Sequence, residues 1–173
     1  MALSFDLFGT LVATDRPEEP WDAVAAALSA RSVHVPVDWE DAYRSAHREY
    51  DRGREAPLDE HVQLALASRG IEITEETAAE AVLDAFDSPV TVREGAIDVL
   101  AAAAQRGPVG MCSNCSVPGL VERTLDRADI GSESGQTFDA VITSVGCGWR
   151  KPHPKIFETT ADALGVSLAD LVH

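Results

Sequence analysis

Three polar side chains stand where short apolar segments of the chain end: Asp6, Ser113 and Lys151. Each segment predicts a buried strand, and in a parallel sheet the carboxyl ends of such strands meet in one crevice. Asp6 could attack as a carboxylate nucleophile, dividing a hydrolysis into the formation and breakdown of an ester-type intermediate. Lys151 would offset the negative charge of Asp6 and of an incoming anion, and Ser113 would donate to that anion.

The hydrophobic pattern supplies the elements that must position these residues. An apolar run over residues 2–7 predicts a first strand that enters a turn at residues 8–10. After Pro89, short apolar runs alternate with segments of helical spacing. We predict strands over 109–112, 138–143 and 168–173, and helices over 94–106, 117–127 and 154–164. This alternation is typical of an α/β fold with a Rossmann-like parallel sheet.

A long helical segment interrupts this pattern directly after the first strand. Residues 21–86 show apolar positions at helical spacing, which predicts about four helices and no clear strand. Asp38 and Thr74 are candidate N-caps. We therefore expect an all-helical cap over residues 15–88, covering the carboxyl edge of a core formed by residues 1–14 and 89–173.

Composition restricts the partners of the protein. The 173 residues carry a net charge of −15, and Lys151 and Lys155 are the only lysines. The dispersed acidic residues favour a chain adapted to high salt, where screening relieves self-repulsion. Such a surface repels nucleic acid and anionic membranes, so we expect a small-molecule substrate, with no nucleic acid and no membrane partner. No sequence pattern indicates an oligomeric state.

Apolar runs and the N-terminal residues also bear on where the protein is located in the cell. No apolar run approaches membrane-spanning length, and no basic region precedes a long apolar stretch at the N-terminus, so we expect a cytoplasmic protein.

The motifs resemble those of the haloacid dehalogenase-like (HAD-like) hydrolase superfamily. Residues 5–11 (FDLFGTL), 111–114 (MCSN) and 148–157 (GWRKPHPKIF) are similar to its first, second and third motifs. The helical segment also lies where the helical-cap subclass carries its cap. The family's last acidic motif would follow the strand predicted at 168–173, so we expect the core to be incomplete at the C-terminus.

The resemblance implies a role for each candidate site residue. Asp6 is implied to be the nucleophile, and Ser113 and Asn114 to bind the transferred group. Lys151 would steady nucleophile and substrate, and Thr10 would orient the loop.

The same resemblance implies a metal. In the family's phosphatases, Mg²⁺ would bind a carboxylate oxygen of Asp6 and the backbone carbonyl of Phe8, which are hard oxygen ligands of the kind Mg²⁺ prefers. The leading prediction is therefore a Mg²⁺-dependent phosphatase that cleaves a small phosphate ester through an aspartyl-phosphate on Asp6.

Phe8 keeps other functions open. The phosphatases carry a second Asp at this position as general acid and base, a role typically worth about 10²–10⁴-fold in rate. Phenylalanine cannot transfer a proton. A metal-free 2-haloacid dehalogenase remains an alternative, because a halide leaves without a proton. A second alternative is a catalytically silent fragment or binding protein that retains the fold.

The cysteines allow one further interpretation. Cys112 and Cys115 have the C-x₂-C spacing of zinc ligands, Cys147 precedes the third motif, and His153 lies within it. The alternative is that Cys112 belongs to the core of a strand and that the others are small loop residues. Three cysteines without a secretion signal argue against a disulfide framework.

Overall fold

A four-stranded parallel sheet forms the core of the protein. The computed structural model describes residues 1–130 and 138–173. The strands of this sheet are β1 (Ala2–Phe5), β4 (Val109–Ser113), β5 (Ala140–Thr143) and β6 (Leu171–Val172). They lie in the order β5-β4-β1-β6. Strands β1, β4 and β5 pair in parallel with Phe5 beside Met111 and Ser113 beside Thr143, so their carboxyl ends lie at one edge.

The predicted α/β fold with a Rossmann-like parallel sheet is confirmed. The crossover helices of the core are α5 (Ala96–Ala104), α6 (Leu120–Ala128) and α8 (Pro154–Ala163). A short helix that the sequence did not predict, α7 (Ser144–Cys147), follows β5 directly. Its four residues are too few to produce a helical periodicity in the sequence.

Four helices make up the inserted segment, as predicted. They are α1 (Pro20–Ala30), α2 (Trp39–Arg44), α3 (Leu58–Ala67) and α4 (Glu75–Phe86). Thr74 caps α4 as predicted, because its hydroxyl accepts a hydrogen bond from the Thr77 N–H at 3.1 Å. Asp38 precedes α2, but its side chain makes no capping bond; the carboxylate accepts from Arg69 instead.

A two-stranded antiparallel ribbon joins the ends of this insert, which the sequence interpretation missed. Strand β2 (Val12–Thr14) pairs with β3 (Val90–Val92), placing Thr14 opposite Val90. Each strand has three residues, which is too short for a period-two pattern to be distinguished. The ribbon holds the entry and the exit of the insert side by side.

The central strand β4 is buried along its whole length, and apolar packing explains its position. Met111 is fully buried, as are Leu7 and Leu11 in the turn that follows β1. Burial of each such side chain contributes about 1.5–3 kcal/mol. Gly110 lies under α8, where a Cβ atom would come within 2.9 Å of a Leu164 methyl carbon. Its lack of a side chain lets the helix approach the sheet closely.

None of the helices in residues 1–130 and 138–173 combines the length and apolarity that a membrane crossing demands.

Replacing Thr74 tests whether its side chain stabilises α4 as an N-cap. Thr74→Ala should lower the free energy of unfolding by about 1 kcal/mol, because a helix N–H loses its partner. Urea unfolding followed by circular dichroism measures this loss. Thr159→Ala is the matched control, since its hydroxyl donates within α8 to the Lys155 carbonyl and caps no N–H. Equal losses from both variants would show that the cap contributes nothing specific.

Candidate active site

The loop after β1 forms around the carbonyl oxygen of Leu7. This oxygen accepts backbone N–H bonds from Thr10 at 3.2 Å, Leu11 at 2.9 Å and Val12 at 3.1 Å. Gly9 adopts a left-handed φ of +78°, which a residue without Cβ takes at little cost. The tight turn keeps Asp6 at the rim of the sheet, where its side chain is 35% exposed.

Both oxygens of the Asp6 carboxylate have defined partners. Oδ1 accepts from the Leu7 N–H at 2.8 Å and from the Ser113 hydroxyl at 2.7 Å. Oδ2 lies 3.0 Å from the Lys151 ammonium. The structure therefore brings together the three side chains that the sequence singled out, from the ends of β1 and β4 and from the loop after α7. A carboxylate held in this way is oriented before any substrate arrives.

Lys151 is held at both its backbone and its ammonium. Its N–H donates to the Asn114 side-chain oxygen at 2.7 Å, and its carbonyl accepts from the Asn114 amide at 3.1 Å. The ammonium also donates to the Cys112 carbonyl at 2.7 Å. The lysine side chain is only 13% exposed, so its position is set by these contacts rather than by solvent.

His173 is a site neighbour that the sequence interpretation did not name. Its Nε2 lies 3.2 Å from the Lys151 ammonium and its Nδ1 lies 3.0 Å from the Ser4 hydroxyl. Burial, together with the charge of Lys151, lowers the pKa of His173 below its usual value. The ring is therefore mainly neutral at pH 7, which allows Nε2 to accept from the ammonium. His173 was the last residue of the fourth predicted strand, 168–173, and no sequence pattern connected it with Lys151.

The other predicted site residues have different positions. Asn114 uses both side-chain groups on Lys151, so it holds the lysine loop as well as lining the adjoining cavity. The Thr10 side chain is exposed at the turn, where its backbone N–H closes the loop. The roles assigned to Thr10 and Asn114 stay predictions.

The Asp6 carboxylate and the Phe8 carbonyl offer oxygen ligands of the kind that Mg²⁺ binds. Within the described ranges, the Phe8 carbonyl accepts no hydrogen bond, and it follows Asp6 by two residues. These residues supply one carboxylate and one carbonyl, and Mg²⁺ commonly uses few protein ligands together with substrate phosphate and water. Among the residues that the structure describes, no group of three or more His, Cys, Asp or Glu side chains could hold a metal by itself.

A cavity of about 230 Å³ lies beside this site. Phe8, in the loop after β1, and Asn114, at the end of β4, line the part of the cavity nearest to Asp6 and Ser113. The remaining wall combines polar and apolar side chains from the insert and the core. These include Arg16, Leu58, Phe86, Ser116, Val117, Leu120 and Arg150. A small molecule with an apolar portion and an anionic group would find both kinds of contact here.

The cysteines do not form the alternative zinc site. Cys112 is buried in β4, the Cys115 thiol lies 3.4 Å from the Val117 carbonyl, and the Cys147 thiol lies 3.3 Å from the Trp149 carbonyl. Burial raises the pKa of Cys115 to about 11. In the described ranges, no group of three or more His, Cys, Asp or Glu side chains is placed to hold a metal.

The sequence interpretation also missed an ion pair between the buried Glu55 and the partly exposed Arg150. Glu55, in the irregular segment between α2 and α3, accepts from Arg150 of the third motif at 2.7 and 2.9 Å. The two residues are 95 positions apart. No helical or strand pattern marks Glu55, so sequence periodicity offered no signal for it.

Comparisons with known proteins agree with this fold. The family model for haloacid dehalogenase-like hydrolases matches residues 1–173, so the chain belongs to that family. No curated protein sequence matches the chain.

Solved structures show the same fold at low sequence identity. A HAD family enzyme from Bacteroides thetaiotaomicron, in complex with magnesium and inorganic phosphate, is 14% identical with a TM-score of 0.55; the match covers 98% of this chain and 81% of that one. A defluorinating L-2-haloacid dehalogenase is 23% identical with a TM-score of 0.51, over 98% and 71% of the two chains. The L-2-haloacid dehalogenase of Xanthobacter autotrophicus with covalently bound chloropropionic acid is 23% identical with a TM-score of 0.50, over 98% and 67%.

Thiol labelling tests the burial of the cysteines. In the folded protein at pH 8, iodoacetamide should modify Cys147 first, because Cys112 and Cys115 are buried. Burial also raises the pKa of both buried thiols, so little thiolate is available there. Peptide mass spectrometry locates the label, and labelling in urea, where all three should react, is the control. Fast labelling of Cys115 in the folded protein would contradict its buried position.

The raised pKa of Cys115 also predicts a pH dependence of stability. Its folded value of about 11 lies above the ordinary value of 9.0. The thiol therefore favours the folded state fully below pH 9, and this contribution is lost as the pH rises through about 11. The free energy of unfolding of the wild type, measured in urea, should fall over this range more steeply than that of Cys115→Ala. Parallel pH profiles for the two proteins would contradict the assignment.

Proposed function

We propose that this hydrolase cleaves a small phosphate ester with a good leaving group, through a covalent phosphoryl intermediate on Asp6. The observation that carries the proposal is the oriented and partly exposed Asp6 carboxylate, held by Ser113 and Lys151. Oδ1 already accepts two hydrogen bonds, whereas Oδ2 contacts the ammonium alone among the described residues. Oδ2 is therefore the oxygen that attacks.

The chemical steps use the groups at the strand ends. Asp6 Oδ2 attacks phosphorus, the bond from phosphorus to the leaving oxygen breaks, and that oxygen takes the electron pair. Water then attacks phosphorus, the bond to Oδ2 breaks, and phosphate is released with the carboxylate restored. Lys151 and the Ser113 hydroxyl stabilise negative charge on the phosphoryl oxygens. Mg²⁺, when bound at Asp6 and the Phe8 carbonyl, would supply further positive charge.

Phe8 directs the choice of substrate. The side chain two positions after the nucleophile cannot protonate a leaving group, so an alcohol of high pKa would leave slowly. Phe8 also lines the cavity with Leu58 and Phe86, which favours an apolar, aromatic leaving group. Aryl phosphates combine a stabilised leaving oxygen with such a surface.

The same residue favours a second candidate function, the hydrolysis of a carbon–halogen bond. Asp6 Oδ2 would attack carbon and halide would depart with its electron pair, after which water would hydrolyse the ester. No proton donor is needed in the first step, and the pairing of Asp6 with Lys151 requires no metal. The two dehalogenases of similar fold make this candidate worth the same assay.

Removal of the nucleophile gives the primary test. Asp6→Asn should abolish hydrolysis of an aryl phosphate, measured by phosphate release in high salt with and without Mg²⁺. Asp98→Asn, an exposed carboxylate on α5, is the matched control and should keep full activity. Mg²⁺-dependent turnover that disappears only in Asp6→Asn supports the phosphatase.

The same experiment separates the alternatives. Halide release from a 2-haloacid without Mg²⁺, lost in Asp6→Asn, would instead support the second candidate. A folded wild-type protein that turns over neither substrate would refute both enzymatic proposals and would favour a binding role.

A substitution at the missing acid position tests the leaving-group argument. Phe8→Asp should raise turnover of an alkyl phosphate relative to an aryl phosphate by up to about 10²-fold, because protonation matters more for the poorer leaving group. The ratio of kcat/KM for the two substrates measures this effect. Phe8→Leu controls for the loss of the aromatic ring. An unchanged ratio in Phe8→Asp would contradict the role given to Phe8.

A further inference from the structure

We propose that Glu55 is a positioning residue that sets Lys151 against Asp6, and that it makes this arrangement depend on the docking of the inserted segment. The inference rests on the proposed function for its kinetic part. Glu55 lies in the insert, between α2 and α3, far along the chain from every motif residue. Its side chain is nevertheless only 1% exposed.

The Glu55 carboxylate is fully engaged by donors from the core. Arg150 Nη1 donates to both oxygens, at 2.7 and 2.9 Å. The Ser116 hydroxyl donates to Oε1 at 2.9 Å, and the Ser144 hydroxyl donates to Oε2. The Ala56 N–H completes the set at 3.0 Å. The buried Glu55 carboxylate of the insert thus accepts hydrogen bonds from three side chains of the core. These are Ser116 after β4, Ser144 at the start of α7 and Arg150 after α7.

Backbone contacts hold the same segment against the same two loops. The Glu55 N–H donates to the Gly148 carbonyl at 3.0 Å, and the Arg150 N–H donates to the Gly53 carbonyl at 2.9 Å. The Leu58 N–H donates to the Ser116 carbonyl at 2.9 Å. The segment is therefore joined to the core by an isolated antiparallel bridge between Arg54 and Trp149, and these backbone bonds fix the position of Glu55.

The partners of Glu55 are the immediate neighbours of residues at the site. Arg150 precedes Lys151, and the Ser144 hydroxyl accepts from the Cys115 N–H at 2.9 Å. Cys115 follows Asn114, which is bonded to the Lys151 backbone on both sides. The loops carrying Asn114 and Lys151 are thus bonded to each other directly and again through Glu55.

This arrangement is costly to break and selective in what it affects. An amide at this position keeps one acceptor oxygen but places an NH₂ group where Arg150 or a serine hydroxyl donates, so donor faces donor and the surrounding loops must rearrange. Lys151 follows Arg150 directly and has little freedom of its own. A displacement on the order of 1 Å at a catalytic group can cost about 10²-fold in rate.

Glu55→Gln preserves the size of the side chain and removes its charge. We expect kcat for the substrate found above to fall roughly 10- to 100-fold while KM changes less, because Ser113, which is proposed to bind the transferred group, makes no hydrogen bond to Glu55. Asp87→Asn is the matched control. Asp87 also joins the insert to the core through ion pairs, with Arg123 and Arg127 of α6, and its side chain is 14% exposed. Its kcat should stay at the wild-type value.

A second readout requires no turnover. Selective labelling with ¹⁵N-lysine gives one backbone amide resonance each for Lys151 and Lys155, and Lys151→Arg assigns the Lys151 resonance, whose N–H donates to Asn114. In Glu55→Gln this resonance should shift toward the position found in urea, while that of Lys155 stays fixed. Asp87→Asn should move neither. Ser116→Ala, which removes one donor and leaves the ion pair, should give a smaller shift in the same direction.

The outcomes separate this inference from the proposed function. A shifted Lys151 resonance with a lower kcat supports the positioning role. An unshifted resonance in Glu55→Gln, or an equal shift of Lys155, overturns it even if the enzyme is active. If the wild type turns over no substrate, the proposed function fails and the resonance alone decides. If Glu55→Gln does not fold, Ser116→Ala decides by the same criterion.

Discussion

The contact between Asp6 and Lys151 is the interaction on which the rest of the site depends. A carboxylate and an ammonium 3.0 Å apart come from opposite ends of the sequence, and parallel pairing of β1, β4 and β5 brings them to one edge. In a chain with a net charge of −15, an anionic substrate needs a local cation to approach this edge. Lys151 provides that charge and is itself held by Asn114 and the Cys112 carbonyl.

At this edge of the sheet, a partly exposed carboxylate is surrounded by loops that are held in place. The Asp6 carboxylate, which we propose as the nucleophile, must meet a substrate, and it lies on a loop and is partly exposed. The loops that carry its partners must nevertheless be fixed, because charged groups stabilise a transition state only when they are oriented beforehand. Backbone bonds around the Leu7 carbonyl, the two bonds of Asn114 and the buried carboxylate of Glu55 supply this order from beneath the site.

Sequence patterns predicted the parts of this arrangement that are local. Strand ends located Asp6, Ser113 and Lys151, and an N-cap signal located the start of α4 at Thr74. The parallel sheet followed from the alternation of strands and helices. These features depend on neighbours within a few residues along the chain or on a period that repeats within one element.

The parts that were missed depend on contacts between distant short segments. The β2–β3 ribbon pairs two three-residue strands, and Glu55 meets Arg150 from an irregular stretch of backbone. Neither segment is long enough to show a period, and side-chain charge alone does not distinguish Glu55 from the many exposed acids of this chain. His173 was recognisable only once β6 was placed beside β1.

The ribbon has a consequence for how such a protein can change over evolutionary time. Thr14 and Val90 face each other, so the whole helical insert leaves and returns to the core through adjacent points. A shorter, longer or unrelated insert could be accommodated at the same two points without moving any strand of the sheet. The insert can therefore be exchanged as a module while the strands of the sheet are inherited unchanged, except where a residue such as Glu55 bonds the insert to the core.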